Sequence, residues 1–428
     1  MKHTVEEVRL KNGARGLLID VPDATTMSIQ FQFRAGSRYA KSKDIEQVAH
    51  LMEHLAFGAN SRYRSEQEFE FDFTKNGADR NAYTSDLSMV YEASCADFEW
   101  DRILDLQMLS ICQPRFNNKE LDAEKGNVRS ELTNYLNDYG HILIPRVQQL
   151  LGEDVLTHRQ SLGTIANVSL ADIREHHRRT HTTDNMRFVI TGKLSGRKSQ
   201  IRRVIDDMEL PRGERFSVPN DNLHKAHPTI IRRKSATNLT FGLFMILNRE
   251  LSEQEMSAMR YLNHILTGTT HSRIFGSARQ KGLAYNVSSY TGTGSYNSSW
   301  DITGQVNHES SEKLFNIIAR ELKYVIDGNI RQDEVDAAKS FALGRYQMGA
   351  QTVSQISNFY NGRYFDNDYV RDYDKVPEMI KSLTAERMIE VARSFFDEDA
   401  WVLAAVSSHD KQEIVDLHAK VEDLFKKE

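Results

Sequence analysis

The sequence predicts an α+β chain made of two homologous, α/β-sandwich-like domains, each a mainly antiparallel sheet with helices packed on one side. Three observations carry this. First, the halves repeat: residues 116–123 read F-N-N-K-E-L-D-A and residues 330–337 read I-R-Q-D-E-V-D-A, an offset of 214, and self-similarity at so long a period marks duplicated domains. Second, each half opens on β-like alternation and continues into amphipathic helical patterns. Third, Pro211, Gly213 and Pro219 disfavour regular structure between the halves, and the charges among them favour solvent. The expected organisation is an N-terminal domain over 1–210, a linker over 211–222 and a homologous C-terminal domain over 223–428.

The elements follow in order. Residues 27–33 alternate apolar and polar side chains as a strand does, residues 44–57 carry a helical apolar stripe with Asp44 as a plausible N-cap, and residues 82–93 read as further strand. A second helical pattern covers residues 118–132. Ser169-Leu170 opens a helix leading to the apolar run 186–190, and Ser382-Leu383 opens its counterpart, leading to 401–406 at an offset of 213. Residues 285–306 supply strands to the second half.

At 428 residues the chain is too long for one ordinary core. Hydrophobic residues at 39%, charged residues at 27% and a net charge of −5 fit a globular protein and give no electrostatic case for nucleic acid. The two cysteines, Cys95 and Cys112, form neither a disulfide framework nor a metal motif. No apolar stretch is long enough for a membrane span and the N-terminus lacks the apolar run of a signal peptide, so a cytoplasmic location is expected. No glycine-rich phosphate loop follows a strand.

The most informative residues are His50-Leu-Met-Glu53-His54. At 100° per residue the two histidines and Glu53 share one helix face. Two neutral imidazoles and a carboxylate suit Zn²⁺ with one position left for water, and Glu53, beside both ligands, is the natural general base, an arrangement known as the inverted zincin motif. The competing reading is the solvated face of an ordinary helix. Against it, Leu121, Glu124, Val128 and Glu131 recur along one stripe of the 118–132 helix, where two carboxylates interrupt apolar positions and call for a cation or hydrogen-bond partners. Glu131 is assigned as the third ligand and Glu124 as its supporting carboxylate. In the second half the repeat sets Ala338 and Arg345 opposite Glu124 and Glu131, and Arg260, Asn263 and His264 opposite His50, Glu53 and His54. One Zn²⁺ per chain follows, with the C-terminal domain lacking the metal site. His177 and His181 form a rival i, i+4 pair, read as structural or surface histidines.

These residues resemble the pitrilysin-type metallopeptidases, the family that includes the mitochondrial processing peptidase and insulin-degrading enzymes. The likeness extends over Ala35-Gly-Ser-Arg-Tyr39, the His50–His54 motif, Gly77-Ala-Asp-Arg-Asn81-Ala82-Tyr-Thr84, the Glu124 and Glu131 pair, Thr183-Asp-Asn185, Ser272-Arg-Ile-Phe275 and Gly282-Leu-Ala-Tyr285. The separation of 77 positions between His54 and Glu131 matches the family's third ligand. The resemblance implies a zinc endopeptidase acting on peptides or unfolded segments. It implies that Asn81 and Ala82 lie on a strand edge that binds substrate, and Phe57 is grouped with them. It also implies that Arg279 and Tyr285 serve the scissile carbonyl, although the segment from Arg279 to Gly282 is one residue shorter than the family's. Two such domains per chain imply a homodimer, or a heterodimer with a motif-deficient homologue. A non-catalytic peptide-binding or scaffold subunit is the alternative on the same fold.

Overall fold

The computed structural model describes residues 1–398 and 400–426, and the chain divides into two compact units. Neither is a single stretch. The first comprises Met1–Asn134, His158–Pro219 and Met348–Arg371, and the second Tyr135–Thr157, Asn220–Gln347 and Asp372–Glu428. Residues 211–222 are irregular, as the prolines require. The expected boundaries at 1–210 and 223–428 are crossed twice, because each half lends one helix to the other half's unit.

The first unit holds a six-stranded sheet of β1 (Thr4–Arg9), β2 (Arg15–Asp20), β3 (Thr26–Phe33), β4 (Asp79–Thr84), β5 (Met89–Ala96) and β6 (Met186–Gly192). Their order is β1-β2-β6-β3-β5-β4; β2 and β6 run parallel and every other pair antiparallel. Phe31 of the central β3 lies in register with Tyr91 and Phe188. On β3, Ile29, Phe31 and Phe33 form one fully buried row, and Ser28, Gln30 and Gln32 the other, also buried. The polar row escapes solvent because the lent helix Val353–Asn367 covers it, with Asn361 Nδ2 donating to Gln30 Oε1 at 2.8 Å.

The second unit holds β7 (Thr229–Arg232), β8 (Leu239–Leu247), β9 (Asn286–Thr293), β10 (Ser298–Val306) and β11 (Trp401–Ser407), in the order β7-β11-β8-β10-β9 with only β7 and β11 parallel among these pairs. This matches β2-β6-β3-β5-β4 strand for strand, so the duplication read from the sequence is present in the topology. The main helical layer packs over Phe241, Leu243, Met245, Trp300, Ile302 and Leu403. The opposite face carries Phe244, Ile246, Val402 and Val406, buried under Ile142, Leu143, Val147 and Leu151 of the helix Tyr139–Leu151 lent by the first half. Among the described residues no helix is long and apolar enough to cross a membrane.

Candidate metal centre

The helix Val48–Ala56 buries Val48, Ala49, Leu51, Met52, Leu55 and Ala56, which leaves His50 and His54 half-buried on the remaining face beside Glu53. It is shorter than the pattern over 44–57. Asp44 does not cap it, lying instead in a separate 3₁₀ turn, Lys43–Ile45. The residue before the helix is Gln47, whose Oε1 lies 3.1 Å from His50 Nδ1 instead of capping the backbone. A proton on Nδ1 directs the lone pair of Nε2 outward. The same logic holds one turn later, where Glu124 Oε2 lies 2.7 Å from His54 Nδ1 and is itself held by Asn127.

The other nitrogens meet one carboxylate. His50 Nε2 is 3.3 Å and His54 Nε2 3.7 Å from Glu131 Oε2, on the helix Asn118–Tyr135. One donor atom from each of the three lies within 4.8 Å of the others. Two donors at bonds of about 2.0–2.1 Å around a tetrahedral zinc stand roughly 3.3 Å apart, so the donor set fits that ion without large rearrangement. Electrostatics point the same way. Burial draws the imidazolium of His54 down, yet its hydrogen bonds to Glu124 and Glu131 and the charge of Glu53 outweigh this and raise its pKa to about 10. Glu124 shifts below the usual carboxylate range through its hydrogen bond to His54, against the opposing effect of burial. This is a place built for positive charge, where a metal ion and a proton compete.

Glu53 is 9% exposed and accepts a hydrogen bond from Thr84 Oγ1 at 2.8 Å. Thr84 ends β4, the edge strand of the sheet, which also carries Asn81 and Ala82. Asn81 donates to Glu92 Oε1 at 3.2 Å, and Phe57, just past the His50 helix, lies under the Arg80 guanidinium at 4.0 Å. Arg279 and Tyr285 belong to the second unit. There the guanidinium lies 4.8 Å from the Tyr285 ring, and both line a cavity of about 480 Å³ with Asn238, Gln305 and Asn307. Tyr285 is 82% exposed.

The rival pair is structural. His177 Nε2 lies 2.8 Å from the Ile111 carbonyl and His181 Nε2 2.9 Å from the Tyr91 hydroxyl, with the two rings stacked. Burial depresses both, His181 well below its ordinary value, and they are neutral core residues. Gln47 and Thr84 complete the surroundings of the group. Gln47 stands three residues before His50, a helical spacing that could have flagged it, whereas Thr84 closes the segment 77–84 with no pattern that ties it to Glu53.

A duplicated α+β framework whose first copy brings two imidazoles and a glutamate together beside a buried Glu53 is the pattern of the inverted-motif metallopeptidases. Comparison with known proteins agrees. The family profile described as Insulinase (Peptidase family M16) matches residues 15–156, and that described as Peptidase M16 inactive domain matches 167–341. The chain is 24% identical over 421 residues to the Bacillus subtilis protein named "Uncharacterized zinc protease YmxG", covering 94% of this chain and 98% of that one. It is 26% identical over 190 residues to the Neurospora crassa mitochondrial-processing peptidase subunit beta, covering 43% and 39%. Among solved structures, a protease from Helicobacter pylori superposes with a TM-score of 0.84 at 17% identity, covering 95% of this chain and 99% of that one. The chain belongs to the M16, pitrilysin-type, metallopeptidase family.

Proposed function

We propose that this protein is a zinc-dependent endopeptidase that hydrolyses peptides or unfolded segments, with His50, His54 and Glu131 as ligands and Glu53 as general base. The observation that carries the reading is the convergence of both Nε2 atoms on Glu131 with a buried, hydrogen-bonded Glu53 on the same helix. A zinc ion held there supplies Lewis acidity, making water more acidic and polarising the scissile carbonyl. Glu53 takes the proton from the attacking water and delivers it to the leaving amine, and Thr84 keeps its carboxylate aimed. Gln47 and Glu124 hold the two imidazoles in the tautomer that presents Nε2.

The free edge of β4 suits an extended peptide that adds as a further strand, its amides paired with those around Asn81 and Ala82 and Phe57 offering apolar contact. Arg279 and Tyr285 are assigned to the scissile carbonyl on the family resemblance, as charge and hydroxyl for a developing oxyanion. The inactive-domain match does not oppose catalysis, since much of it covers the half in which Ala338 and Arg345 replace the carboxylates. Two repeats per chain support a homodimer, which sedimentation of the protein purified alone would measure.

The deciding experiment compares zinc content and cleavage of a mixed pool of unstructured peptides for the protein and its Glu53→Gln variant. Zinc retained in both, with cleavage lowered roughly 10²–10⁴-fold in the variant, is expected for loss of a general base. Equal cleavage by both, or no zinc in either, overturns the reading.

A further inference from the structure

The hydrogen bonds behind His50 continue past Gln47. Both ends of the Gln47 carboxamide are used: Oε1 lies 3.1 Å from His50 Nδ1, and Nε2 donates to Glu46 Oε2 at 2.8 Å. The same Glu46 oxygen accepts from Ser161 Oγ at 3.0 Å. Ser161 is buried in the helix His158–Thr164, and the 3₁₀ turn after it, Ile165–Asn167, sends a hydrogen bond from Asn167 Nδ2 to the Asp44 carbonyl at 3.0 Å. A segment 115 positions further along the chain thus holds the residues in front of the His50 helix.

This chain of bonds has a direction. A carboxamide has two ends of similar size, one that accepts and one that donates, and only the accepting end can receive a proton from His50 Nδ1. With the amide reversed, its NH₂ would call for the lone pair of Nδ1, and the ring would carry its proton on Nε2, the nitrogen that faces Glu131. Gln47 is 6% exposed, so protein groups and not solvent set its orientation. Glu46 sets it, because an ionised carboxylate only accepts and so takes the NH₂ end. The Ser161 hydroxyl, donating to the same oxygen, keeps that carboxylate where the amide meets it, and the charge polarises the amide so that Oε1 becomes a stronger acceptor. The ordinary task of an acid at this place is to offset a helix dipole, and that of the residue at the start of a helix is to cap its backbone N–H groups. Gln47 makes no such cap. Its amide is given to side chains at both ends, an arrangement that serves the imidazole and not the helix start.

We propose that Glu46, steadied by Ser161, is a positioning residue of the metal centre: through the Gln47 amide it fixes the tautomer in which His50 presents Nε2 to a zinc ion. This rests on the zinc reading of His50, His54 and Glu131 and carries it to a carboxylate that touches none of the proposed ligands and to a helix outside the motif.

The test is the zinc affinity of the full chain, stripped with a chelator and titrated with Zn²⁺ against a chromogenic competitor, with circular dichroism confirming that each variant is folded. Glu46→Gln keeps the shape of the side chain and removes the end that only accepts; affinity about tenfold lower is expected, at the small end of the range for hydrogen bonds behind a ligand. Ser161→Ala, which loosens the carboxylate without altering charge, should act in the same direction by less. In a Gln47→Leu background the path to His50 is already cut, so Glu46→Gln should cause no further loss, whereas a charge acting through space would add its effect again. Exchanging the groups, Glu46→Gln together with Gln47→Glu, places a carboxylate directly on His50 Nδ1 at unchanged net charge and should restore the affinity of the parent. Equal affinity for the parent and Glu46→Gln, or losses that add in the Gln47→Leu background, overturns the proposal and leaves the zinc site standing; no zinc in the parent overturns both.

Discussion

At the scale of single residues, His50 and His54 each lean on a partner outside the proposed donor set. An imidazole free to change tautomer presents Nε2 only part of the time, and Gln47 and Glu124 remove that freedom. Gln47→Leu and Glu124→Gln are each expected to weaken zinc binding about 10–100-fold, measured by competition with a chromogenic chelator, while secondary structure is retained. Thr84→Val keeps the shape of the side chain and removes the hydroxyl that Glu53 accepts from. Zinc content should then stay unchanged while kcat falls; an unaltered kcat would leave Thr84 without a positioning role. The candidate ligands His50 and His54 and the candidate base Glu53 were legible in the sequence because helix periodicity alone brings them to one face. Gln47 and Thr84 were not, since one depends on where the helix begins and the other on which strand passes it.

At the scale of elements, the second copy shows which contacts stand where the first has its candidate metal ligands. Asn263 stands where Glu53 does, and like Glu53 it bonds a threonine of the adjacent edge strand, donating to Thr291 Oγ1 at 3.0 Å and accepting from Trp300 Nε1 at 2.8 Å. His264, opposite His54, stacks on Phe341 with centroids 3.9 Å apart. On the other side of β10, Asp301 carries a cost. Burial raises its pKa to about 7, with Glu153 adding to the shift and the Ser299 hydroxyl opposing it. The folded chain thus binds more protons than the unfolded one between the ordinary value of 3.8 and about 7, so stability falls as pH rises through that window and the deficit is complete above it. Asp301→Asn should leave the stability near that of the parent at pH 4 and raise it at pH 8, by an amount on the order of a few kcal/mol; calorimetry at the two pH values checks this, and an equal effect at both would point to packing instead. Strand alternation and the helix stripes made these elements readable in advance. The sheet against which a given helical stripe is buried was not readable, because amphipathicity reports that a face is covered and not by what.

At the scale of the molecule, that ambiguity is where the sequential division into halves gives way. Asp368 illustrates the lending of helices: it ends the helix Val353–Asn367 in the left-handed region, at φ 56°, and its carboxylate accepts from Arg15 at 2.8 Å and Arg187 at 2.9 Å. Burial pushes this carboxyl up, but the Arg187 hydrogen bond and the charges of Arg187, Arg15 and Arg215 hold it below its ordinary range, so its contribution is present at neutral pH and lost as pH falls through the depressed value. Asparagine tolerates the left-handed backbone and lacks the charge, so Asp368→Asn isolates the ion pair. Arg187 is only 3% exposed, and leaving it unpaired should cost about 2–4 kcal/mol, read from urea unfolding. The same reasoning applies to whole segments. A fragment of residues 1–219 loses the cover over Gln30 and the partner of Arg187, and it bares Ile142, Leu143, Val147 and Leu151, whose apolar cluster lies in the second unit. A fragment of residues 220–428 uncovers Phe244, Ile246, Val402 and Val406. Each alone is expected to aggregate or melt without cooperativity, and the two expressed together should recover a cooperative transition, since each then supplies the helix the other lacks. A sharp, independent melt of 1–219 would mean that its own 135–157 segment can cover the sheet in place of the lent helix, and that exchange between the halves is a preference of the intact chain and not a requirement of the fold.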